Sequence, residues 1–463
     1  MTQRRRRRPV ARILLTVGAV LAGSLAAGAA GTGLAAPANA AGAVMLSSPK
    51  SLGGWGVVGY DGATSPVATF KSNVTAITEW NNRIYIGGMF TAVARNGVTQ
   101  AKQPYLAAFD RATGTWVSTF RPRLDGGVWD LAVTPAGKLL VGGYFANANG
   151  SLHRGLVALN PSTGAVDPGF AVTLSVGTGR AGVRSLDVNG PWVYVGGNVT
   201  TVTGGTGTDV ATVRGKNLFR LKVSNGRPDG AFKPIMSTAP WQVYASRAGD
   251  RVYAAGRFGT VNGTPKEILA VLSAADGRLV PGVADVRPTY DCRPKCSKST
   301  YAPYSQAVLE TADRTSVIGT PTEHAVQIFS RATLTRRYGH YTGAGPGVTR
   351  GAGGDYQALA EVNGIVYGAC HCFQYDYDGA YSVLTPGLAP TRWDRLSRVN
   401  GIAAYDAVTL KKIDTFSPQA YGSLGDGAWQ LFVDSTGCLW AGGDFTHASG
   451  NRWLGGFTKF CTT

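Results

Sequence analysis

Tyr85-Ile86-Gly87-Gly88-Met89-Phe90 is a short apolar strand that runs into paired glycines and then an aromatic residue, and the chain repeats it. Further copies stand at Leu140-Val141-Gly142-Gly143-Tyr144-Phe145, Tyr194-Val195-Gly196-Gly197-Asn198-Val199 and Tyr253-Ala254-Ala255-Gly256-Arg257-Phe258. Two degenerate copies, Val317-Ile318-Gly319-Thr320 and Tyr367-Gly368-Ala369-Cys370, precede a strong last one, Trp440-Ala441-Gly442-Gly443-Asp444-Phe445. Successive copies lie 55, 54, 59, 64, 50 and 73 residues apart. Upstream of each lies a short strand such as Val74–Ile77, Val128–Leu131, Trp241–Val243, Tyr356–Leu359 or Trp429–Phe432. Downstream, a third strand ends in a turn, as at Thr113-Gly114 and Asn225-Gly226, and a fourth segment ends in Phe120, Phe170, Phe232 or Phe416. Glycine and asparagine in those turns accept the left-handed backbone that tight turns demand. Four short strands per unit, seven units and no helical periodicity predict an all-β, seven-bladed β-propeller. The last unit lacks a fourth strand, so Gly56–Tyr60 or Val67–Phe70 is expected to complete it, closing the ring by pairing N- and C-terminal strands.

The first forty residues are of another kind. Arg4–Arg8 and Arg12 form a basic head, an apolar run follows from Ile13, and Ala38-Asn39-Ala40 closes a small-residue stretch. That is the three-part pattern of a secretory signal peptide, with cleavage expected after Ala40; an uncleaved anchor is the alternative. The expected domains are therefore residues 1–40, the signal, and 41–463, the propeller, in a protein that is secreted, extracellular or held at the cell wall. The whole chain has 45 basic and 27 acidic side chains, a net +18. Removing residues 1–40 takes away six arginines and no acid, leaving 39 basic against 27 acidic and a net +12. Such a charge favours anionic surfaces such as a phosphate-rich wall or acidic glycans. No helix-turn-helix, finger or RNA-binding motif suggests nucleic acid, and no run in the mature chain is apolar enough to span a bilayer.

These repeats, with Tyr85–Thr91, Leu140–Gly150, Tyr194–Thr200, Tyr253–Gly263 and Trp440–Thr446 as the matching stretches, resemble secreted actinobacterial propeller proteins built on Tyr-Val-Gly-Gly-x-Phe-Thr units. The chain is also similar to propeller subunits of secreted antibacterial toxin particles, although it lacks an appended lectin domain. The resemblance implies architecture rather than activity, since such scaffolds serve adhesins, lectins, enzymes and assemblies alike. An alanine-rich signal fits the same high-GC source.

In a propeller, the long connections 91–105, 198–217, 283–304 and 371–398 would share one face, the expected recognition surface. The starts of the inner strands, reaching the same face, read Thr75, Asp130, Arg184, Gln242, Gln306, Gln357 and Gln430, with Trp129, Trp241, Tyr356 and Trp429 just before several of them. Strict alternation lets only one series enter the channel. An amide series there would suit sugar hydroxyls or would simply line a wet channel. Tyr375, Tyr377 and Trp393 in the 371–398 loop are further candidate contacts, the competing role being a structural lid. Asp376 and Asp378 are the one candidate pair for calcium, but their alternation is too short for a metal loop and solvent exposure is the better expectation; no other cofactor is expected.

Six cysteines survive signal removal, an even number consistent with disulfides. Cys438 and Cys461 fall on neighbouring strands and suit a pair. Cys370 and Cys372, one residue apart, strain against pairing together, which favours cross-pairing with Cys292 and Cys296. Zinc held around His371 is the competing reading. No zinc-protease motif, nucleophile elbow or phosphate loop occurs, and nothing places Asp130, Asp355 and Asp376 together as a glycosidase pair. The sequence therefore points to a secreted recognition module that binds a cell-surface glycan or a protein partner through its long-loop face. A polysaccharide-acting enzyme and a scaffold subunit of a secreted complex are the alternatives.

Overall fold

The computed structural model describes residues 42–50, 52–62, 73–286, 304–320, 324–347, 354–372, 374–380, 389–422 and 427–463. The signal peptide and its cleavage point, the expected strand Val67–Phe70, and Cys292 and Cys296 lie outside the described residues. No helix among the described residues is long and apolar enough to cross a membrane.

Every Gly-Gly segment or its degenerate form ends the middle strand of an antiparallel sheet. The first sheet is Val74–Trp80, Arg83–Gly88 and Leu106–Asp110, and the second Val128–Val133, Leu139–Gly143 and Leu156–Leu159. Four more follow the same order: Gly182–Asn189 with Trp192–Asn198 and Leu218–Lys222; Gln242–Ala245 with Arg251–Ala255 and Leu269–Ser273; Tyr356–Val362 with Ile365–Cys370 and Ile402–Asp406; and Ala428–Val433 with Leu439–Gly443 and Phe457–Phe460. Between the fourth and these last two lies a six-stranded sheet that starts with Val308–Glu310, Ser316–Gly319 and Ala325–Ser330 and continues with Arg336–Gly343, Tyr375–Asp378 and Arg395–Arg398.

The paired glycines have distinct steric reasons. A Cβ on Gly87 would stand 2.5 Å from Val128 Cγ1 in the next sheet, and one on Gly88 would stand 1.9 Å from Asn73 O at the entry to its own. The first glycine admits a neighbour's valine; the second admits backbone. Apolar clusters fill the spaces between successive sheets. In one of them Tyr85 meets Phe120 edge-on at 5.2 Å, and both pack with Leu139 and Phe145 of the second sheet. The equivalent pairs Tyr194–Phe232 and Tyr367–Phe416 lie at 5.4 and 5.1 Å. The terminal phenylalanines are thus plugs. Trp440 and Phe457 of the last sheet share a cluster with Val74, Ile84 and Phe109 of the first.

Two expectations need correction. The fourth segments that end in Phe120, Phe170, Phe232 and Phe416 are not strands, and they touch their neighbours by single bridges, such as Phe109 to Trp116, Leu159 to Val166 and Leu221 to Pro228; in the six-stranded sheet alone, among the described residues, the fourth segment is a full strand, Arg336–Gly343. Pro168, Pro228 and Pro281 contribute to the single bridging in three units, because proline offers no amide hydrogen with which to continue a ladder. The terminal strands do not pair either. Trp55–Val58 binds Ala92–Arg95, leaving the last sheet with three strands. Among the described residues, two backbone bonds run alongside its C-terminal strand, from Leu46 N to Cys461 O (2.9 Å) and from Lys50 N to Lys459 O (2.7 Å). The protein is all-β, made of many small antiparallel sheets, and none of them closes into a barrel or propeller; the expected closed seven-bladed ring is set aside on that ground.

The connections expected to be irregular are themselves partly strands. Trp55–Val58, Ala92–Arg95 and Val98–Ala101 form one small sheet, and Val172–Ser175, Thr201–Gly204 and Ala211–Arg214 another. Ala420–Gly422, Phe445–Ala448 and Arg452–Trp453 form a third. Cys438 and Cys461 are bonded, with Cα atoms 4.5 Å apart, and tie the last strand to the middle of its sheet. Cys370 and Cys372 are bonded to each other, not cross-paired. The chain turns at His371 and brings their Cα atoms to 5.1 Å, inside the range a disulfide accepts. With both sulfurs so engaged, no thiolate is left there for zinc.

Candidate functional site

The first strands of the seven main sheets begin around one small, solvent-open cavity. Asp130, Arg184, Gln242, Gln306, Gln357 and Gln430 all line it, together with Thr75, Ser185, Trp129, Trp241 and Trp429. Six of the nine expected ligand contacts are therefore brought together. The aromatic series joins the amide series rather than packing away from it, because alternation fails at this point. In five first strands the pairing register slips at their start, between Val74 and Ala76, Val128 and Asp130, Val183 and Ser185, Tyr356 and Ala358, and Ala428 and Gln430. Each slip is a β-bulge, which leaves one extra residue unpaired and lets consecutive side chains face the same way. Trp129 with Asp130, Arg184 with Ser185, and Trp429 with Gln430 enter the cavity as neighbours for this reason. Tyr356 is the exception, buried beside Tyr405 at a ring distance of 6.4 Å.

Much of the polar lining is committed to joining sheets. Thr75 Oγ1 donates to Val128 O (2.6 Å). Asp130 accepts from Leu131 N (2.8 Å) on its own strand and from Leu186 N (2.7 Å) on the next. Ser185 Oγ accepts from Val243 N (2.9 Å), Asp187 from Ala245 N (2.5 Å), and Gln242 Oε1 from Val308 N (2.5 Å). Gln357, with its amide oriented to satisfy its neighbours, donates to Asp355 O (2.9 Å) and Ala428 O (3.1 Å) and accepts from His371. These side chains fasten one first strand to the next, a role the sequence reading missed. Desolvation dominates the carboxylates among them. It lifts Asp130 to about 7 against the bonds from Leu186 and Leu131, and lifts Asp187 to about 7 as well, with the nearby Asp130 charge adding to the rise.

Arg184, Gln306 and Gln430 stand apart: among the described residues their side chains make no hydrogen bond or ion pair. The Arg184 guanidinium lies over Trp241 at 4.4 Å and over Trp129 at 5.2 Å, close enough for cation–π attraction to both rings. Burial draws its pKa down to about 10. Trp129 in turn packs on Met89, with Tyr60, Tyr144 and Trp429 around them, and Trp241 meets Tyr304 at 5.0 Å. The cavity is a polar cup with an aromatic wall and one cation.

Tyr375, Tyr377 and Trp393 do not line this cup. Tyr375–Asp378 pairs with Arg395–Arg398 and with Arg336–Gly343, so part of the expected loop is an extension of the six-stranded sheet. Tyr377 is wholly buried, its hydroxyl donating to Ala344 O and its ring edge-on to Trp393 at 5.3 Å. Tyr375 carries the Arg398 guanidinium over its face at 4.3 Å. Trp393 is partly exposed in a shallow depression with Arg392 and Asp394.

Asp376 and Asp378, expected in solvent, are buried. Strand pairing sets Asp378 directly opposite His340, and His340 Nδ1 lies 2.7 Å from Asp376 Oδ1 and 3.1 Å from Asp378 Oδ1. Tyr405 donates to Asp376 Oδ2 (2.9 Å) and Arg395 Nε to Asp378 Oδ2 (2.9 Å). Burial disfavours the imidazolium, but Asp376 and then Asp378 outweigh it and raise His340 to about 9. Asp378 is held down at about 2 against burial, chiefly by His340. Calcium does not fit here: it calls for six to eight oxygen ligands, and these carboxylates already face cations of the protein itself. Asp355 accepts from Tyr304 and from His324 N (3.2 Å). Asp130, Asp355 and Asp376 thus hold separate stations, and Asp130 is the only one of the three that lines the cup.

Residues 135–170 match the family described as a domain of unknown function (DUF5122) beta-propeller. That is 36 residues in a chain of 463 and does not assign the chain to the family. No curated protein matches. Among solved structures, the computationally designed Ika8 protein is similar at 12% identity and a TM-score of 0.42, covering 84% of this chain and 96% of that one. The extracellular domain of a putative hybrid two-component system from B. thetaiotaomicron is similar at 12% identity and a TM-score of 0.44, over 84% of this chain and 38% of that one. Likenesses of this size carry no argument for this chain. With one short family match and no closing sheet, the resemblance to secreted actinobacterial propeller repeats, and to a toxin-particle subunit, is not upheld.

Proposed function

We propose that the chain is an exported recognition module that binds a saccharide in the cup formed by its first strands. One observation carries the reading: Trp129, Trp241 and Trp429 share a solvent-open cavity with Gln306 and Gln430, whose side-chain amides make no hydrogen bond among the described residues. Uncommitted amides offer both donors and acceptors to hydroxyls, and indole faces cover the C–H faces of a sugar ring. Export is supported by the basic head, apolar run and Ala38-Asn39-Ala40 of the N-terminus and by two disulfides, which persist in oxidising compartments. A binding role is favoured over glycoside hydrolysis because Asp130 is the one carboxylate among the described residues that lines the cup, and both of its oxygens accept backbone amides.

Tryptophan emission of the purified protein, titrated with a panel of neutral and acidic oligosaccharides, tests the proposal. Saturable quenching by at least one sugar, lost in Trp241→Ala and kept in Trp393→Ala, is the expected result. A response that is lost in Trp393→Ala and kept in Trp241→Ala moves the site away from the cup.

A further inference from the structure

Resting on that reading of the cup, we propose that Arg184 makes it selective for a sugar bearing a carboxylate, with the guanidinium and the acid group meeting edge to edge. The argument begins with what surrounds the cation. Trp241 and Trp129 lie under its charge at 4.4 and 5.2 Å. Aromatic contacts of this kind occupy guanidinium faces and leave the N–H edge available, and that edge is the one that receives a carboxylate through two parallel bonds.

The second observation is the missing partner. Among the described residues, other cations drawn into the protein meet acids: Arg220 bonds Asp229, Arg331 lies 2.8 Å from Glu310, and Lys412 lies 2.6 Å from Asp414. Arg184 has no such contact among the described residues, although it lines a cavity that also holds Asp130. Both Asp130 oxygens are turned to backbone amides of Leu131 and Leu186. A half-buried charge without a pair has lost hydration that nothing replaces, and a ligand carboxylate supplies the pair. Gln306 and Gln430 line the same cavity and are free for the hydroxyls of the ring that carries the acid. The glycine before Arg184 contributes to its placement. A Cβ on Gly182 would stand 2.7 to 2.9 Å from the Tyr144 ring, so that glycine lets the ring lie against the bulge that presents Arg184.

The experiment compares galacturonic, glucuronic and N-acetylneuraminic oligosaccharides with their methyl esters and with neutral parents of equal length, using unaltered protein and calorimetric titration. Esterification removes the charge and keeps the sugar, so no variant has to fold for this arm. We expect at least one acid to bind tenfold or more tighter than its ester and its neutral parent. Arg184→Gln should abolish that preference, and Arg184→Lys should keep only part of it. Equal binding of acid and ester by the unaltered protein, with neutral parents also bound, overturns this inference and leaves the saccharide reading standing. Binding of no sugar of either kind overturns both. Inorganic phosphate displacing the best acid at equal concentration assigns the subsite to phosphate esters and overturns the carboxylate.

Discussion

His340→Gln is expected to destabilise the protein strongly near neutral pH and much less in alkali. His340 is fully buried between Asp376 and Asp378, at 2.7 and 3.1 Å from one ring nitrogen. Its pKa rises from 6.5 to about 9. At about 1.4 kcal/mol per unit, that rise corresponds to about 3 kcal/mol of stabilisation by the imidazolium. A group whose folded value is raised contributes in full below its unfolded value and loses the contribution as pH climbs through the folded one. The window therefore runs from 6.5 to about 9. Asp378, held at about 2, works the other way, contributing above the ordinary carboxylate range and losing that contribution only in strong acid. Glutamine keeps most of the volume and a donor but no charge, leaving two buried carboxylates with Arg395 as their nearest cation. Removing one member of a buried ionic group costs about 3–5 kcal/mol. Urea unfolding followed by tryptophan emission should show that cost at pH 6, falling to about 1–2 kcal/mol at pH 10, where unaltered His340 has lost its proton. Adding Asp376→Asn to the variant should recover part of the loss at pH 6. A cost equal at the two pH values would refute the reasoning, since it would mean that the folded protein holds His340 neutral throughout.

Four other outcomes are expected. Gly87→Ala places a methyl 2.5 Å from Val128 Cγ1 and should cost about 1–3 kcal/mol by denaturant unfolding. Cys438→Ser with Cys461→Ser opens a loop of 23 residues, and its unfolding midpoint should fall by the equivalent of about 3 kcal/mol. Asp130, raised by burial from 3.8 to about 7, binds its proton more tightly in the folded state, so its contribution to stability declines as pH rises between those values; Asp130→Asn should flatten that decline in melts at pH 4.5 and 7.5. Gln242→Ala, which strands the Val308 amide, should cost about 1–3 kcal/mol, whereas Gln430→Ala should leave the midpoint within about 0.5 kcal/mol and weaken sugar binding.

The middle strands were legible because two signals coincide in them. Apolar residues run into paired glycines, and the glycines answer a close approach that the structure shows at Gly87, Gly88 and Gly442. The fourth segments misled because a turn followed by an apolar residue and a terminal phenylalanine looks like a strand. Pro168 and Pro228 were the contrary signal in two of them, and the phenylalanines are plugs under Tyr85, Tyr194 and Tyr367. Tyr375-Asp376-Tyr377-Asp378 misled differently. Alternation of aromatic and acidic residues suggests a half-exposed strand, but both faces are buried here because His340 lies opposite and Arg395 beside it. A partner 36 residues away leaves no local trace. The same holds for Cys370 and Cys372, whose pairing depends on the turn at His371 rather than on their spacing.

The cup shows why the residues were easier to find than their roles. Period-two alternation presents aromatic and amide series as alternatives, one inward and one outward. A bulge at the start of the strand removes that choice, and Trp129-Asp130 and Trp429-Gln430 both face the cavity. It also shifts equivalence by one: Asp130 pairs with Gly142 as Ser185 pairs with Gly196, so Asp130 corresponds to Ser185 and Trp129 to Arg184. In that alignment the residue after the bulge bonds to the following sheet, as Asp130 and Ser185 do, while the bulged residue in the second and third sheets, Trp129 or Arg184, is left for the cavity. On the proposed saccharide reading, stability and recognition are divided between adjacent positions of these two strands. A change of ligand preference would then be accessible at Trp129, Arg184 or Gln430 without unfastening the sheets, whereas the bulged residues Thr75 and Gln357 bond the next sheet themselves. The same change one residue along, at Asp130 or Ser185, would have to replace an inter-sheet bond as well.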